Sequence, residues 1–268
     1  MGRLVLLASF ASLLLVAAPA SAADTEVDLE LVLAVDVSRS MDIGEQQLQR
    51  DGYVAAFRHP EVIQAIQSGA VGKIAVTYFE WAGPGFQVTI APWTVIANAA
   101  DADAFAAKLS GGGIGREIGT SISGGLTYAA GLFDGNGFTG YRQTIDVSGD
   151  GPNNSGAPVA ATRDDVVNRG ITINGLPIVI RPSFTTGPFG IPNLDKYYED
   201  CVIGGPGAFM IAVTDRANFE TAIRRKLVTE IAGLPAKVMN AADRSDAGPK
   251  ADCMIGERTR PRFMLDFR

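Results

Sequence analysis

The feature that most constrains the fold is the run Leu29–Val37, in which nearly every residue is apolar. A short run of this kind fits a strand that is buried on both faces, as in a parallel sheet. Further along the 268 residues, segments with strand character and segments with helix character alternate almost throughout. We therefore expect one doubly wound α/β domain with a mostly parallel sheet and helices on both faces.

Turn residues and hydrophobic periodicity place the other elements. Gly83-Pro84-Gly85 joins two strand-like runs, which predicts a hairpin and hence one antiparallel edge strand. Pro60 lies in a helical stretch from Gly44 to Gln67 and predicts a break there. Apolar residues recur every three or four positions from Ile118 to Phe133, which predicts one face of a helix. The remaining predictions are strands at Lys73–Phe79, Phe86–Trp93, Gln143–Ser148, within Ile171–Ile180 and at Ala208–Val213, helices at Asp101–Leu109, Pro158–Arg169 and Arg216–Ile231, and a surface excursion at Pro182–Pro192.

The first 22 residues have the features of a secretory signal peptide. Arg3 is followed by an apolar run and then by small residues up to Ala22 or Ala23, where we expect cleavage. The run is short for a bilayer span, and an uncleaved membrane anchor is the alternative. No later segment is apolar enough for a stable membrane span. We therefore expect a periplasmic or secreted protein with a signal peptide (1–22), one domain (23–232) and a C-terminal tail (233–268).

Export determines how the two cysteines are interpreted. In an oxidising compartment, Cys201 and Cys253 are expected to form a disulfide that ties the tail to the domain. The alternative is two unpaired, buried thiols.

Charge and motif content exclude several classes of function. The chain has 23 Lys and Arg against 29 Asp and Glu, a net charge of −6, and no Lys/Arg-rich run. This argues against nucleic acid or an anionic membrane as the main partner. The single histidine, His59, weakens mechanisms based on imidazole, including catalytic triads and His-rich zinc sites. The GxxxxGK[ST] and GxSxG motifs are also absent.

Oxygen-bearing side chains lie in three loops of the predicted domain. Asp36, Ser38 and Ser40 come after the first strand, Thr120 after a Gly-rich loop, and Asp150 at the end of the strand that begins at Gln143. In open α/β sheets, ligands bind beyond the carboxyl ends of the strands. Two carboxylates and three hydroxyls are hard donors that suit Mg²⁺, or Mn²⁺ or Ca²⁺, rather than zinc or copper. Because hydroxyls carry no charge, the ion would stay electron-poor and attract a carboxylate from a partner.

These residues resemble the metal-ion-dependent adhesion site of von Willebrand factor type A domains. The motif from Asp36 to Ser40 matches that family's DxSxS in full. Thr120 precedes Leu126 by six residues, as the family's threonine precedes its helix leucine, and Asp150-Gly151 closes a strand where the family has its Asp-Gly. The likeness covers roughly residues 28–232.

The resemblance implies a role for each residue of the site. Ser38, Ser40 and Thr120 would contact Mg²⁺ through their hydroxyls, with Asp36 and Asp150 acting directly or through water. An acidic side chain of a protein partner would complete the coordination. The chain also resembles an uncharacterised family of exported bacterial proteins with this domain, marked by the run from Ile145 to Gly151.

Four further residues are weaker candidates for the site. Asp146 departs from the general pattern because it lies in an otherwise apolar strand. It would orient Asp36 or a metal-bound water, or else be satisfied by backbone amides or an arginine. Asn153 and Asn154 could line the ligand face or serve only turn chemistry, and Arg39 could contact a partner or be solvated.

The sequence favours a binding protein over an enzyme. The leading hypothesis is an exported adhesion-type module that holds Mg²⁺ and binds a partner protein. The alternatives are a metal-assisted hydrolase, a periplasmic small-solute-binding protein, or a domain in which Asp36 and Ser38 only cap the next helix.

Overall fold

The computed structural model describes residues 23–180, 190–233 and 250–259. The strands are β1 (Thr25–Val27), β2 (Leu29–Asp36), β3 (Ile74–Trp81), β4 (Gln87–Ile96), β5 (Phe138–Gly140), β6 (Gln143–Gly149) and β7 (Thr172–Pro177). The α-helices are α1 (Ile43–Arg58), α2 (Pro60–Gln67), α3 (Ala99–Ser110), α4 (Ile122–Gly131), α5 (Val159–Asn168), α6 (Leu194–Tyr197) and α7 (Phe219–Ala232).

The central sheet has five strands in the order β4-β3-β2-β6-β7. β4 pairs with β3 antiparallel, and all other neighbours are parallel. The predicted α/β sheet with one antiparallel edge strand is therefore confirmed. A short parallel pair, β1 with β5, lies outside this sheet and was not predicted.

β2 is buried along its whole length because both faces of the sheet are covered. Its side chains alternate between the faces, as the strand pleat requires. Leu31, Leu33 and Val35 pack with helices α1, α2, α3 and α7. Val32 and Ala34 pack with α4, α5 and α6 on the other face.

The register of the sheet brings three strand ends to one edge. Asp36, the last residue of β2, is aligned with Trp81, the last residue of β3. On the other side, Val35 is aligned with Ser148 of β6, one residue before that strand ends at Gly149. The loop that carries Ser38 and Ser40 and the loop that carries Asp150 therefore begin at neighbouring points, whereas the loop that carries Thr120 follows α3.

The helix boundaries follow local turn chemistry. Pro60 divides the first helical stretch into α1 and α2, as predicted, with His59 as the cap between them. The helix predicted from Ile118 is wrong at its start, since α4 begins only at Ile122. Gly119 has φ of 91°, a left-handed conformation that interrupts the helix, and Ile118 is left 57% exposed.

The strand predicted at Ala208–Val213 forms two isolated bridges, from Met210 to Gly175 of β7 and from Val213 to Ile178 just after β7. Backbone hydrogen bonds join this segment to Gly175 and to the carbonyl of Pro177. Pro177 has no N–H to donate, so the ladder is interrupted between the two bridges. The predicted helix from Arg216 is a single 3-10 turn (Arg216–Asn218) followed by α7.

The tail is attached where the cysteines predicted it. Cys201 and Cys253 form a disulfide with their Cα atoms 5.5 Å apart. Residues 255–259 form a short helical turn just beyond it. Residues 1–22, 181–189, 234–249 and 260–268, which include the predicted signal peptide and most of the excursion and tail, lie outside the described residues. Within the part of the chain that is described, no helix is long and apolar enough to cross a membrane.

Candidate metal centre

The loop after β2 is held by its own side chains. The Ser38 N–H donates to Asp36 Oδ1 over 2.7 Å. The cap of α1 is Asp42, whose carboxylate accepts from the Glu45 N–H while Glu45 Oε2 accepts from the Asp42 N–H. Asp36 and Ser38 therefore make no cap contact with α1, and their side chains stay at the edge of the sheet.

The three loops meet through their hydroxyl and carboxyl oxygens. Ser38 Oγ and Ser40 Oγ are hydrogen-bonded at 2.7 Å, and Ser40 Oγ donates to Asp150 Oδ1 over 2.6 Å. Thr120 Oγ1 lies 3.5 Å from Ser38 Oγ. The structure therefore brings together four of the five predicted ligands by direct contact, and Asp36 joins them through the backbone of Ser38.

Asp36 is buried and only half satisfied. Its Oδ2 has no hydrogen-bond partner among the described residues. Burial, together with the nearby Asp150 carboxylate, raises the pKa of Asp36 to about 8. Burying a charged group without a partner is costly, and a divalent cation beside these two carboxylates would remove that cost.

Gly149 lies between Asp36 and a buried tyrosine. A Cβ at this position would stand 2.8 Å from both Asp36 Oδ2 and the hydroxyl oxygen of Tyr198. A larger residue at the end of β6 would therefore displace the Asp36 carboxylate, the Tyr198 side chain or both. The pKa of Tyr198 lies well above its ordinary value because of burial and the adjacent Asp36 and Asp150 carboxylates, so its hydroxyl keeps its proton.

Asn154 positions Thr120. The Thr120 N–H donates to Asn154 Oδ1, and the Asn154 N–H donates to the Thr120 carbonyl, both over 2.9 Å. The Ser155 hydroxyl donates to the same carbonyl. The loop after β6 is thus joined to the loop before α4, and these bonds hold Thr120 in position beside Ser38.

Asn153 is fully buried and faces the tail. Its amide nitrogen donates to the Ala157 carbonyl and to Glu257 Oε1, and its N–H donates to the Tyr197 hydroxyl. Its Oδ1 accepts from the Ser123 N–H. The side chain therefore ties the loop after Asp150 to the segment that the disulfide anchors.

Asp146 belongs to a buried charge cluster that the sequence reasoning missed. Lys226 Nζ lies 2.7 Å from Asp146 Oδ1 and also pairs with Glu230, and all three side chains are buried. Asn174 donates to Glu230 over 2.9 Å. Asp146 is thus satisfied by a lysine, not by backbone amides or an arginine. The available signal was Lys226 between Ile223 and Leu227 on the apolar face of α7.

A second buried pair, Arg50 with Glu80, was also missed. Arg50 pairs with Glu80 and donates to the carbonyls of Leu109 and Gly112. Glu80 Oε2 accepts from the Gly115 N–H over 3.0 Å. The pair therefore holds the Gly-rich loop that leads to Thr120.

Arg39 lies at the mouth of the site and is exposed. Its N–H donates to the Glu117 carbonyl over 3.0 Å, so the loop after β2 lies beside the residues that precede Thr120. The only histidine in the chain, His59, is a helix cap whose ring contacts Arg224 and does not join this site.

The residues present fit a hard divalent cation. Among the described residues there is no cluster of three or more His, Cys, Asp or Glu that could hold a metal. A metal here would therefore need the hydroxyls of Ser38, Ser40 and Thr120 as well as the two carboxylates. That donor set, with the unpartnered Asp36 oxygen, matches the oxygen preference of Mg²⁺, Mn²⁺ or Ca²⁺.

A five-stranded sheet with this connectivity, bearing a DxSxS loop at its carboxyl edge, defines a von Willebrand factor type A (vWA) fold. The chain is similar to proximal thread matrix protein 1 from the mussel byssus, solved with zinc in its metal-ion-dependent adhesion site (MIDAS) motif (13% identity, TM-score 0.57, 79% of this chain and 50% of that chain). It is also similar to the pilus adhesin SpaC from Lactobacillus rhamnosus GG (13% identity, TM-score 0.55, 78% and 31%). A third similar structure is a von Willebrand factor type A protein from Catenulispora acidiphila (16% identity, TM-score 0.51, 76% and 43%).

The chain itself belongs to the family described as protein of unknown function DUF1194, whose model matches residues 26–235. The similarity spans half or less of each of the three solved chains. No curated protein matches the sequence.

Proposed function

We propose that this chain is an exported, metal-dependent protein-binding module that acts by adhesion and not by catalysis. Ser38, Ser40 and Thr120 would hold Mg²⁺ through their hydroxyls, with Asp36 and Asp150 as the charged members. When bound, the cation supplies a positive centre that attracts a carboxylate from the partner. Residues 23–232 form the module, and the tail (233–268) is tied to it by the disulfide.

The observation that carries this proposal is the buried Asp36 carboxylate. One of its oxygens has no hydrogen-bond partner among the described residues, yet hydroxyls and Asp150 from three loops converge next to it. In a loop that only caps a helix, this arrangement would make the ionised form of Asp36 costly with nothing gained, and the raised pKa of Asp36 reflects that cost. In a site that binds a cation, the ion would be the partner of this Asp36 oxygen.

Export is supported by the disulfide and by the first 22 residues. Structural disulfides are typical of proteins that fold outside the cytosol. The bond between Cys201 and Cys253 joins residues 52 positions apart and draws the tail onto the domain.

Calorimetry tests the metal site. The full exported chain, from Ala23 or Asp24 onward, is titrated with Mg²⁺ and with Mn²⁺ after treatment with EDTA. We expect one site in the wild type and none in Asp36→Ala. The matched control is Asp103→Ala, since Asp103 is an exposed aspartate that pairs with Arg58 at the far end of α1. Equal heats from the wild type and Asp36→Ala would overturn the proposal.

A further inference from the structure

Large apolar side chains are exposed next to the candidate metal centre. Among the described residues, four large hydrophobic side chains are exposed: Ile43 (64%), Val88 (43%), Ile118 (57%) and Tyr141 (66%). Ile43 follows Ser40 by three residues, and Ile118 precedes Thr120 by two. Single exposed apolar residues need no explanation, but two of these four lie within three residues of a proposed metal ligand.

The segments that carry these two isoleucines lie side by side. The Arg39 N–H donates to the Glu117 carbonyl, and Ser38 forms a parallel bridge with Glu117. Ile118 follows this bridge directly, and Ile43 begins α1 a few residues after it. We call the exposed side chains of Arg39, Ile43, Arg116 and Ile118 the rim of the site.

The rim carries two exposed arginines although the whole chain is acidic. Arg39 and Arg116 are exposed and form no ion pair with any described residue. Glu117 lies between Arg116 and Ile118 in the sequence. Its carboxylate accepts a hydrogen bond from the Ile118 N–H over 2.7 Å. Asp42, the other acid nearby, is paired with Arg216. A chain of net charge −6 therefore presents at this edge two arginines that have no ion-pair partner among the described residues.

We propose that the rim selects an extended segment of a partner protein. In this segment, an acidic residue has a large apolar residue and a second acidic residue within two positions of it, on either side. This rests on the proposed function, which supplies the metal for the first carboxylate. The apolar side chain would cover Ile43 and Ile118, and the second carboxylate would face Arg39 or Arg116. Burying one such side chain is worth about 1.5 kcal/mol or more, which corresponds to roughly tenfold in affinity.

A random heptapeptide library displayed on phage tests this inference. The full oxidised chain is the bait, binding is done in Mg²⁺, and bound phage are eluted with EDTA. From the wild type we expect peptides that pair an acidic residue with a nearby apolar residue. The rim variant, Ile43→Ser with Ile118→Ser, should still select acidic residues but without the apolar neighbour, and should bind a wild-type-selected peptide about tenfold more weakly.

The matched control is Val88→Ser with Tyr141→Ser, which removes the other two exposed apolar side chains and should behave as wild type. Mg²⁺ titration of the rim variant should be unchanged, since neither isoleucine is a proposed ligand. Mg²⁺-dependent acidic peptides without apolar enrichment, or enrichment that survives in the rim variant, would overturn the inference and leave the metal site standing. Selection that ignores Mg²⁺ would overturn the proposed function and this inference with it.

Discussion

The hydroxyl of Ser40 donates a 2.6 Å hydrogen bond to Asp150, a residue 110 positions further along the chain. This bond joins the loop after β2 to the loop after β6 at the point where Asp36 is buried. Two segments that are adjacent only in the folded sheet thus share one cluster of oxygen atoms. A substitution at Ser40 therefore tests both the loop after β2 and the loop after β6 in the candidate site.

Replacing Ser40 with alanine is expected to weaken Mg²⁺ binding about 10- to 100-fold, because the change removes a proposed ligand and the bond that orients Asp150. Calorimetric titration measures the affinity. The control is Ser110→Ala, since the Ser110 hydroxyl donates to the Ala106 carbonyl within α3, away from the candidate site. If Ser40→Ala binds Mg²⁺ as tightly as the control, the Ser40 hydroxyl is no part of the site.

Replacing Lys226 with methionine is expected to destabilise the fold by about 3–5 kcal/mol, since it leaves the buried Asp146 and Glu230 carboxylates without their cation. Urea unfolding measures the free energy of unfolding. Lys108→Met, at an exposed lysine of α3, is the matched control and should change it little. A loss for Lys226→Met as small as that of the control would show that the cluster is not held by this lysine.

The same cluster predicts a pH dependence of stability. Burial and the neighbouring Asp146 raise the pKa of Glu230 from 4.5 to about 7. The folded state therefore binds a proton more tightly than the unfolded state, so this contribution is full below pH 4.5 and is lost as the pH rises through about 7. We expect the wild type to lose on the order of 2 kcal/mol relative to Glu230→Gln between pH 5 and pH 8.

Thermal or urea unfolding of both proteins across that pH range checks the prediction. Glutamine can still accept the hydrogen bond from Asn174, so the variant removes the titration and keeps the contact. Parallel pH curves for the two proteins would contradict it.

Loss of the disulfide is expected to lower the free energy of unfolding by about 4 kcal/mol, given its sequence separation of 52 residues. The variant is Cys201→Ser with Cys253→Ser, measured by urea unfolding. Reductant should destabilise the wild type by a similar amount and leave the variant unchanged. A wild type that is indifferent to reductant would show that the bond does not hold the tail.

The sequence was most informative where one segment determines its own structure. The run at Leu29–Val37 predicted the central strand, because only a strand covered on both faces tolerates so many apolar residues in sequence. Pro60 predicted the break between α1 and α2 because it has no N–H to donate. The predicted helix start at Ile118 was wrong because apolar spacing carries no information about Gly119, whose left-handed φ ends the pattern.

The candidate site shows the same contrast between local features, which the sequence predicts, and contacts between distant residues, which it does not. The DxSxS motif is local, and its position after a buried strand, together with the resemblance to the vWA metal site, predicted that its oxygens would meet Thr120 and Asp150. The partners of Asp146 and Arg50 were not predicted, because Lys226 and Glu80 lie far away in sequence and are brought near only by tertiary packing. The one indication of this cluster in the sequence was Lys226, because a lysine on an apolar helix face predicts a buried anion near it.

The hydrogen bond from Asn153 to Glu257 spans 104 residues and makes the C-terminal segment part of the scaffold behind the site. The disulfide between Cys201 and Cys253 anchors the same segment a few residues earlier. A fragment that ends before Cys253 would lose both contacts. A shortened chain intended to keep the loop after Asp150 in place should therefore extend at least to Glu257.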